Sequence, residues 1–309
     1  MADDPIRIFC GAARDARLPF EVLAHSIRRH TARPGEIRAI DNGAAPTPAD
    51  PRHAPYTEFS FARFAIPALC GRRGRAVYMD SDMLVFRDFA ELWDQPFDGA
   101  KVLIEVGSRG QRDRGKHAAV MLLDCASLDW DVAAIVGGLG VRYDYNALMA
   151  VDVLLAPGEM AERIPAGWND LDHYDPARTR NLHYTEIRTQ PWVAAGHPHG
   201  RPWIDALRRA MADGAVDEAL VRGEIAAGYA RPSLALELGI ESTAGVAPDD
   251  ARALAALDRA RGYVAQRHLL DRFAARKRAI RERERDEAIA RRPWLAPFFH
   301  LRHAVRGRR

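Results

Sequence analysis

The sequence predicts an α/β fold with a mainly parallel sheet, followed by an α-helical C-terminal region. Up to about residue 203, short apolar runs typical of buried strands alternate with segments of helical periodicity. Beyond that point the strand-like runs stop and helical patterns continue. A chain of 309 residues also exceeds the usual size of one domain. We therefore expect an α/β domain over residues 1–203 and a helical region with an Arg-rich tail over residues 204–309.

The N-terminal elements follow a strand–loop–helix order. Residues 6–10 form a short apolar run, and Gly11 permits a tight turn directly after it. Apolar residues then recur at helical spacing over residues 20–27, and residues 36–40 predict a second strand.

The remaining elements are predicted from the same two periodicities. A helix over residues 59–69 precedes an apolar strand that ends at Asp80. Two more buried strands are expected over residues 102–106 and 118–123, and helices over residues 129–136, 146–155, 204–211, 217–227 and 249–288.

Two carboxylates interrupt the apolar sequence where the third strand ends. Asp80 and Asp82 flank Ser81, and an apolar run resumes at Met83. Burying such charges costs several kcal/mol unless a partner compensates them, and a divalent cation that carries a nucleotide diphosphate is one such partner. Asp-Ser-Asp is also compatible with an ordinary turn. A phosphohydrolase with an aspartate nucleophile is a further possibility, but Leu84 fits its pattern poorly.

Composition narrows the classes of protein that are compatible with this chain. It has no apolar run long enough to span a membrane, and its acidic N-terminus lacks the apolar segment of a secretory signal. Its three cysteines occur in apolar contexts, which favours core positions over disulfides or a zinc site. We therefore expect a cytoplasmic protein.

The net charge of +3 is distributed unevenly. Residues 259–309 contain 16 Arg or Lys and 5 Asp or Glu, a balance of +11, which leaves −8 for the rest of the chain. This tail also contains Trp294, Phe298 and Phe299, so peripheral contact with an anionic membrane is one interpretation. A solvated helix that packs back on the domain is another. Nucleic-acid binding is disfavoured because no nucleic-acid-binding motif is present.

Several segments together resemble bacterial glycosyltransferase family 8, as a divergent subgroup. Residues 8–11, 22–27, 59–67 and 77–82 occur in the order seen in that family. His183-Tyr184-Thr185, followed by Gln190-Pro191-Trp192, resembles its late histidine motif. The resemblance covers about residues 6–195. It implies a GT-A (Rossmann-like) fold, a nucleotide-sugar donor that is usually UDP-linked, Mn²⁺ or Mg²⁺, and transfer with retention at the anomeric carbon.

The resemblance also implies roles for individual residues. Asp80, Asp82 and His183 correspond to the metal ligands, a set that suits Mn²⁺. Arg63 would contact the donor sugar or its phosphate, which suits a planar and always-charged guanidinium. The turn after the first strand, with Ala12 and Ala13, and Ser81 between the two aspartates would line the donor site.

Other positions depart from the family pattern. Glu186 and Gln190 stand where the family has Gly and Lys, so the diphosphate loses a cation that Arg188 could replace. His117 occupies the place of an Asn in a sugar-facing block. The family's Asp-Gln-Asp motif aligns with residues 144–148 or with residues 151–154, and the second alignment makes Asp152 a sugar contact.

Trp168 and Asn169 form an aromatic-plus-polar pair that suits stacking on a sugar, although a core tryptophan and a turn asparagine would give the same pattern. Together with this resemblance, the sequence leads us to expect a retaining hexosyltransferase that acts on a glycan, lipid or protein acceptor. The alternative is a non-catalytic nucleotide-sugar-binding protein that keeps the fold.

Overall fold

The structure, a computed structural model, describes residues 5–43, 45–105 and 118–292. Its strands are β1 Ile6–Gly11, β2 Gly35–Ile40, β3 Arg75–Asp80, β4 Met83–Val85, β5 Val102–Ile104, β6 Val120–Asp124, β7 Met160–Glu162, β8 Asp170–Leu171 and β9 Asn181–His183. Its α-helices are α1 Arg17–Arg29, α2 Ile66–Leu69, α3 Ala90–Trp93, α4 Val132–Gly137, α5 Tyr145–Ala150, α6 Gly200–Ala212, α7 Glu218–Ala226, α8 Leu234–Glu237, α9 Ala251–Ala260 and α10 Arg267–Arg291. Short 3₁₀ turns cover Arg14–Ala16, Pro51–His53, Ala62–Ala65 and Asp152–Leu154.

Six of these strands form the central sheet in the order β2-β1-β3-β6-β5-β7. β1 runs parallel to β2 and β3, and β5 runs parallel to β7, but β6 is antiparallel to both β3 and β5. Five of the six strands therefore run in the same direction, so the sheet is mainly parallel as expected, and β6 is its one antiparallel strand. An apolar run indicates that a strand is buried but not which way it runs, so the pattern could not reveal the reversal.

The sheet packs a separate hydrophobic cluster on each face. Ile8 and Val77 join α1 on one face, whereas Phe9 and Tyr78 join the turn that contains Phe64 on the other. Adjacent residues on a strand point to opposite faces, so β1 and β3 contribute to both clusters. Tyr78 and Asp80, two residues apart, consequently share the second face.

A three-stranded sheet, β4-β9-β8, lies beside the C-terminal end of β3. β4 pairs antiparallel with β9, and Met83 faces His183 in that register. The Tyr184 N–H also donates to the Asp82 carbonyl at 2.9 Å. This pairing carries the late part of the chain to the two aspartates.

Several helix predictions hold in type but not in extent. Residues 59–69 contain a 3₁₀ turn before the short helix α2. The helix expected over residues 146–155 ends at Ala150, because Val151 takes a φ of 69°. The helix expected over residues 249–288 is two helices, α9 and α10, which are separated where Gly262 and Gln266 have positive φ.

The C-terminal helices share a hydrophobic core with the α/β part. One cluster joins Leu18 and Val22 of α1 to Leu182 of β9 and to Trp203 and Leu207 of α6. The predicted boundary at residue 203 falls inside α6. Among the described residues, no helix is both long and apolar enough to cross a lipid bilayer.

Candidate active site

Asp80 ends β3, and two side chains on the same face of the sheet hold its carboxylate. The Tyr78 hydroxyl donates to Asp80 Oδ1 at 2.6 Å, and Arg63 Nη2 lies 3.4 Å from the same oxygen. Arg63 Nη1 donates to the Ala118 carbonyl at 2.8 Å, and its Cζ lies 4.3 Å from the centroid of the Tyr78 ring. The orientation of Asp80 is thus set before any ligand binds.

Asp82 and His183 meet because β4 pairs with β9. His183 Nε2 lies 3.1 Å from Asp82 Oδ1, while Gln190 Nε2 donates to Asp82 Oδ2 at 3.1 Å. On the other side of the imidazole, His183 Nδ1 lies 2.9 Å from Asn169 Oδ1. With Nδ1–H as the donor to this amide oxygen, Nε2 carries the lone pair that a metal ligand needs.

A glycine turn places Asn169 for this contact. Gly167 has a φ of 93°, and a Cβ at that position would lie 2.6 Å from the Arg178 carbonyl oxygen. The Gly167 carbonyl accepts hydrogen bonds from the N–H groups of Arg180 and Asn181, both at 2.8 Å. This turn therefore fixes the segment that carries Asn169 against β9.

Asp80, Asp82 and His183 form a group that fits a divalent cation. Each offers one ligand atom, and these three atoms lie within 4.8 Å of one another. Asp82 Oδ1 is buried and accepts no well-oriented hydrogen bond among the described residues. A buried carboxylate oxygen without a donor is costly, and coordination to a cation would compensate for it.

The pKa shifts at this group reflect burial and the closeness of the two carboxylates. Burial raises the pKa of Asp80 above its usual value, against the attraction of Arg63, and the charge of Asp82 adds to the rise. Burial alone would lower the pKa of His183, but the carboxylates of Asp82 and Asp80 outweigh it and the pKa lies above its usual value. A bound cation would reduce the repulsion between the two carboxylates.

A cavity of about 640 Å³ opens beside the three ligand residues. Arg63, Asp80 and Asp82 line one side of it. Other lining residues come from the segment before α2 and from α5, namely Tyr56, Thr57, Phe59, Ser60, Tyr145, Asn146, Met149 and Ala150. Aromatic faces next to hydroxyl and amide groups suit a sugar, which has apolar C–H faces and polar hydroxyls.

Several predicted site residues lie close to this group. Ser81 is buried and lines a smaller cavity of about 80 Å³ together with Asp82 and Gln190. Ala12 and Ala13 form the turn after β1, where the Ala12 N–H is already bonded to the Ile40 carbonyl at 2.9 Å. Their contact with a nucleotide stays a prediction.

Trp168 and Asn169 do not contribute as predicted. Trp168 is fully buried, and its ring packs edge-on against Phe89 with centroids 5.3 Å apart. The prediction that it stacks on a sugar is wrong, because the core covers the ring. Asn169 is buried as well, and it orients His183 rather than facing the cavity.

Two further predictions concern exposed residues, and one concerns a residue outside the described part. Asp152 is exposed in a 3₁₀ turn and does not line the 640 Å³ cavity, so its role as a sugar contact stays a prediction. Asn146, from the first alignment, lines the cavity. Arg188 is exposed, and its role toward a diphosphate stays a prediction. His117 lies outside the described residues.

The structure adds residues that the sequence reasoning missed. Tyr78 was counted as part of an apolar strand, although a tyrosine two residues before an aspartate on one strand shares its face. Phe59 and Tyr145 lack a motif of their own, and Gln266 is remote in sequence from the site.

Comparisons with known proteins found a matching family model and a curated relative. The model of glycosyl transferase family 8 matches residues 23–122. Protein CDI from Arabidopsis thaliana is 34% identical over 220 residues, which cover 66% of this chain and 82% of that protein.

Two solved structures are similar to this chain. Galactosyltransferase LgtC, described in complex with donor and acceptor sugar analogs, has a TM-score of 0.50 at 16% identity, over 71% of this chain and 100% of LgtC. The bifunctional glycosyltransferase WbbM has a TM-score of 0.49 at 14% identity, over 66% of this chain and 50% of WbbM. The LgtC match shows the GT-A fold. Because the family model matches this chain and the plant relative is 34% identical to it, the chain belongs to glycosyl transferase family 8.

Proposed function

We propose that the protein is a metal-dependent retaining glycosyltransferase that moves a hexosyl group from a UDP-linked sugar to a glycan, lipid or protein acceptor. The observation that carries this proposal is the group of Asp80, Asp82 and His183 at the edge of the 640 Å³ cavity. Mn²⁺ or Mg²⁺ bound there would neutralise the departing diphosphate as a Lewis acid.

The protein's own residues would position the donor. Arg63 is buried, and its Nε–H has no partner among the described residues. The Arg63 guanidinium lines the cavity and is held by its contacts with Ala118 and Tyr78, so it can stabilise charge that develops on the leaving group. The hydroxyls and the amide on the other side of the cavity would bind sugar hydroxyls and exclude water.

The proposed reaction needs no separate protein base. The acceptor oxygen forms a bond to the anomeric carbon on the face from which the diphosphate departs, while the bond from that carbon to the phosphate oxygen breaks. The leaving phosphate oxygen takes the acceptor's proton, so charge and atoms balance. A dedicated catalytic carboxylate at the anomeric centre is therefore not required.

Donor hydrolysis tests the proposal and separates it from the non-catalytic alternative. With Mn²⁺ and a panel of nucleotide sugars, the wild-type protein should slowly release nucleoside diphosphate from one donor. Asp82→Ala should abolish that release, whereas Asp129→Ala, at an exposed loop position, should not change it. Donor binding without any release would favour a nucleotide-sugar-binding protein. If no donor binds and Asp82→Ala changes nothing, the proposal is wrong.

We further propose that the protein is cytoplasmic and makes peripheral contact with the inner face of the membrane through its tail. The +11 charge balance of residues 259–309 and the aromatic residues near the end of the sequence support this proposal.

The departures from the family pattern at Gln190 and Glu186 support the further proposal that the protein belongs to a divergent bacterial subgroup with its own acceptor.

A further inference from the structure

The side-chain amide of Gln190 hydrogen-bonds both to the candidate metal site and to Gln266, the residue that precedes α10. Its Nε2 donates to Asp82 Oδ2 at 3.1 Å and to the Tyr184 carbonyl at 2.8 Å. Its Oε1 accepts a hydrogen bond from Gln266 Nε2 at 2.9 Å. Both glutamines are buried, so solvent does not replace these partners.

The chemistry of the partners determines which way this amide points. Asp82 and Tyr184 present only oxygen acceptors, so the NH₂ group of Gln190 must face them. Its oxygen must then face Gln266, which has to donate. Without that donor, the amide could turn and place its oxygen against the Asp82 carboxylate, where two acceptors would repel each other. Gln266 therefore stabilises the one orientation of Gln190 that holds Asp82.

Holding Asp82 through Oδ2 leaves Oδ1 for the cation. Oδ1 is the buried oxygen that has no well-oriented donor and lies 3.1 Å from His183 Nε2. Partners of this kind fix the rotamer of a ligating carboxylate, and their loss typically lowers metal affinity by about 10- to 100-fold.

Gln266 reaches this position at a conformational cost. It precedes α10 with φ 54° and ψ 34°, a left-handed conformation that is uncommon for residues other than Gly and Asn. The docking of α10 holds the residue there, through His268 Nε2 at 2.9 Å from Asp15 and Arg272 Nη2 at 2.7 Å from Glu58. Arg276 stacks on Tyr56, which itself lines the cavity.

We infer that Gln266 is a positioning residue for the metal centre, which acts through Gln190 on Asp82 and makes the C-terminal helix a part of the donor site. This inference rests on the proposed function, because Asp82 must be a metal ligand for the effect on affinity. In this inference Gln266 acts through Gln190 and is not itself a metal ligand.

The test compares Mn²⁺ binding by electron paramagnetic resonance in a set of full-length variants. Gln266→Gly removes the amide while the backbone conformation becomes favourable, and Gln266→Met removes the amide while keeping the length of the side chain. Each should raise the dissociation constant for Mn²⁺ about tenfold. The Mn²⁺ concentration for half-maximal activity should rise with it, while kcat at saturating Mn²⁺ stays unchanged.

Two controls separate positioning from general loosening. Asp98→Gly makes the same kind of change at another residue with a left-handed backbone conformation, whose side chain pairs with Arg163. This variant should leave the affinity for Mn²⁺ unchanged. Arg283→Ala weakens the docking of α10 at Asp50 without touching the glutamines and should also leave it unchanged. In a Gln190→Ala background, Gln266→Met should cause no further loss, because the link to Asp82 is already cut.

The outcomes are distinct. Unchanged Mn²⁺ affinity in both Gln266 variants, or an equal further loss in the Gln190→Ala background, overturns the inference. If the wild-type protein binds no divalent cation, the metal in the proposed function fails, and the link is judged in the metal-free protein by NMR. The side-chain amide protons of Gln190 should exchange slowly in the wild type and faster in Gln266→Met. Equal exchange rates overturn the inference.

Discussion

The two aspartates of the Asp-Ser-Asp segment lie two residues apart, yet different parts of the chain hold them. Asp80 is held from within the sheet by Tyr78 and Arg63, whereas Asp82 is held by Gln190, more than a hundred residues later. The first set of contacts depends on strand periodicity and the second on the pairing of β4 with β9. Substitutions at either set should therefore affect the same site through different elements.

Arg63→Lys should lower the kcat of the transfer reaction about a hundredfold. A lysine keeps the charge, but its single ammonium cannot bond the Ala118 carbonyl and the Tyr78 hydroxyl together while an N–H remains free for the donor. The measurement is kcat with the donor identified by the panel. Arg73→Lys, at an exposed residue, is the matched control, and an unchanged kcat in Arg63→Lys would contradict the role of the guanidinium.

At the scale of elements, β1 must end in a glycine because the site packs directly on it. A Cβ at Gly11 would lie 2.5 Å from the Tyr78 hydroxyl and 2.6 Å from a ring carbon of Phe59. Both rings are part of the site or its wall, so neither can move without disturbing Asp80 or the cavity.

Gly11→Ala should lower the free energy of unfolding by about 1–3 kcal/mol, the usual cost of overpacking, and should weaken Mn²⁺ binding. Urea denaturation measures the first effect. Gly223→Ala is the control, since that glycine lies inside α7 with no atom near its missing Cβ, and it should stabilise the protein by up to about 1 kcal/mol. Equal stability of the wild type and Gly11→Ala would show that the two rings relax without cost.

The docking of α10 depends on carboxylates that bind its basic side chains. For Asp15, burial opposes ionisation, but His268 and Arg272 outweigh it and keep the pKa below its usual value. For Asp50, the neighbouring Arg52 is the main cause of a pKa lowered to about 2, and Arg283 of α10 adds a smaller contribution. The part of this lowering that comes from residues of α10 stabilises the docked helix at a pH above the unfolded value of about 3.9, and this contribution is lost as the pH falls through the folded value.

We therefore expect α10 to become susceptible to pepsin between about pH 4 and pH 2, before the central sheet does. Mass spectrometry of the first fragments identifies the cleaved segment. Asp50→Asn, which has no titrating group at that position, should weaken docking at pH 4 and show a smaller change between the two pH values. A helix that is equally resistant at both values would refute the dependence.

At the scale of the whole molecule, the helices after residue 203 pack against the α/β part and do not form an independent unit. The shared core around Trp203 and the bond from Gln266 to Gln190 tie the two together. The Arg-rich end of the sequence extends beyond the described residues. The proposal that it contacts a membrane therefore rests on its charge and its aromatic residues.

Deleting residues 291–309 should abolish co-sedimentation with vesicles that contain anionic phospholipid. The deletion removes six arginines and the Trp–Phe cluster, and each basic residue near such a surface contributes about 1 kcal/mol. Vesicles of zwitterionic lipid are the control, and neither protein should sediment with them. Unchanged sedimentation of the shortened protein with anionic vesicles would remove the membrane proposal.

The sequence by itself determined the local elements and the most specific part of the site. Strand and helix periodicity located β1, β2, β3, α6 and α7, and the motif order singled out Asp80, Asp82 and His183. These features depend on neighbours within a few residues or on a motif order that a resemblance can transfer.

The tertiary structure alone decided strand direction and the partners that act over long separations. The reversal of β6, the burial of Trp168, the position of Asn146 at the cavity and the bond from Gln266 to Gln190 leave no local signal in the sequence. The physical reason is that each depends on which surfaces pack against one another. Packing is a property of the whole folded chain, whereas periodicity and spacing are properties of its segments.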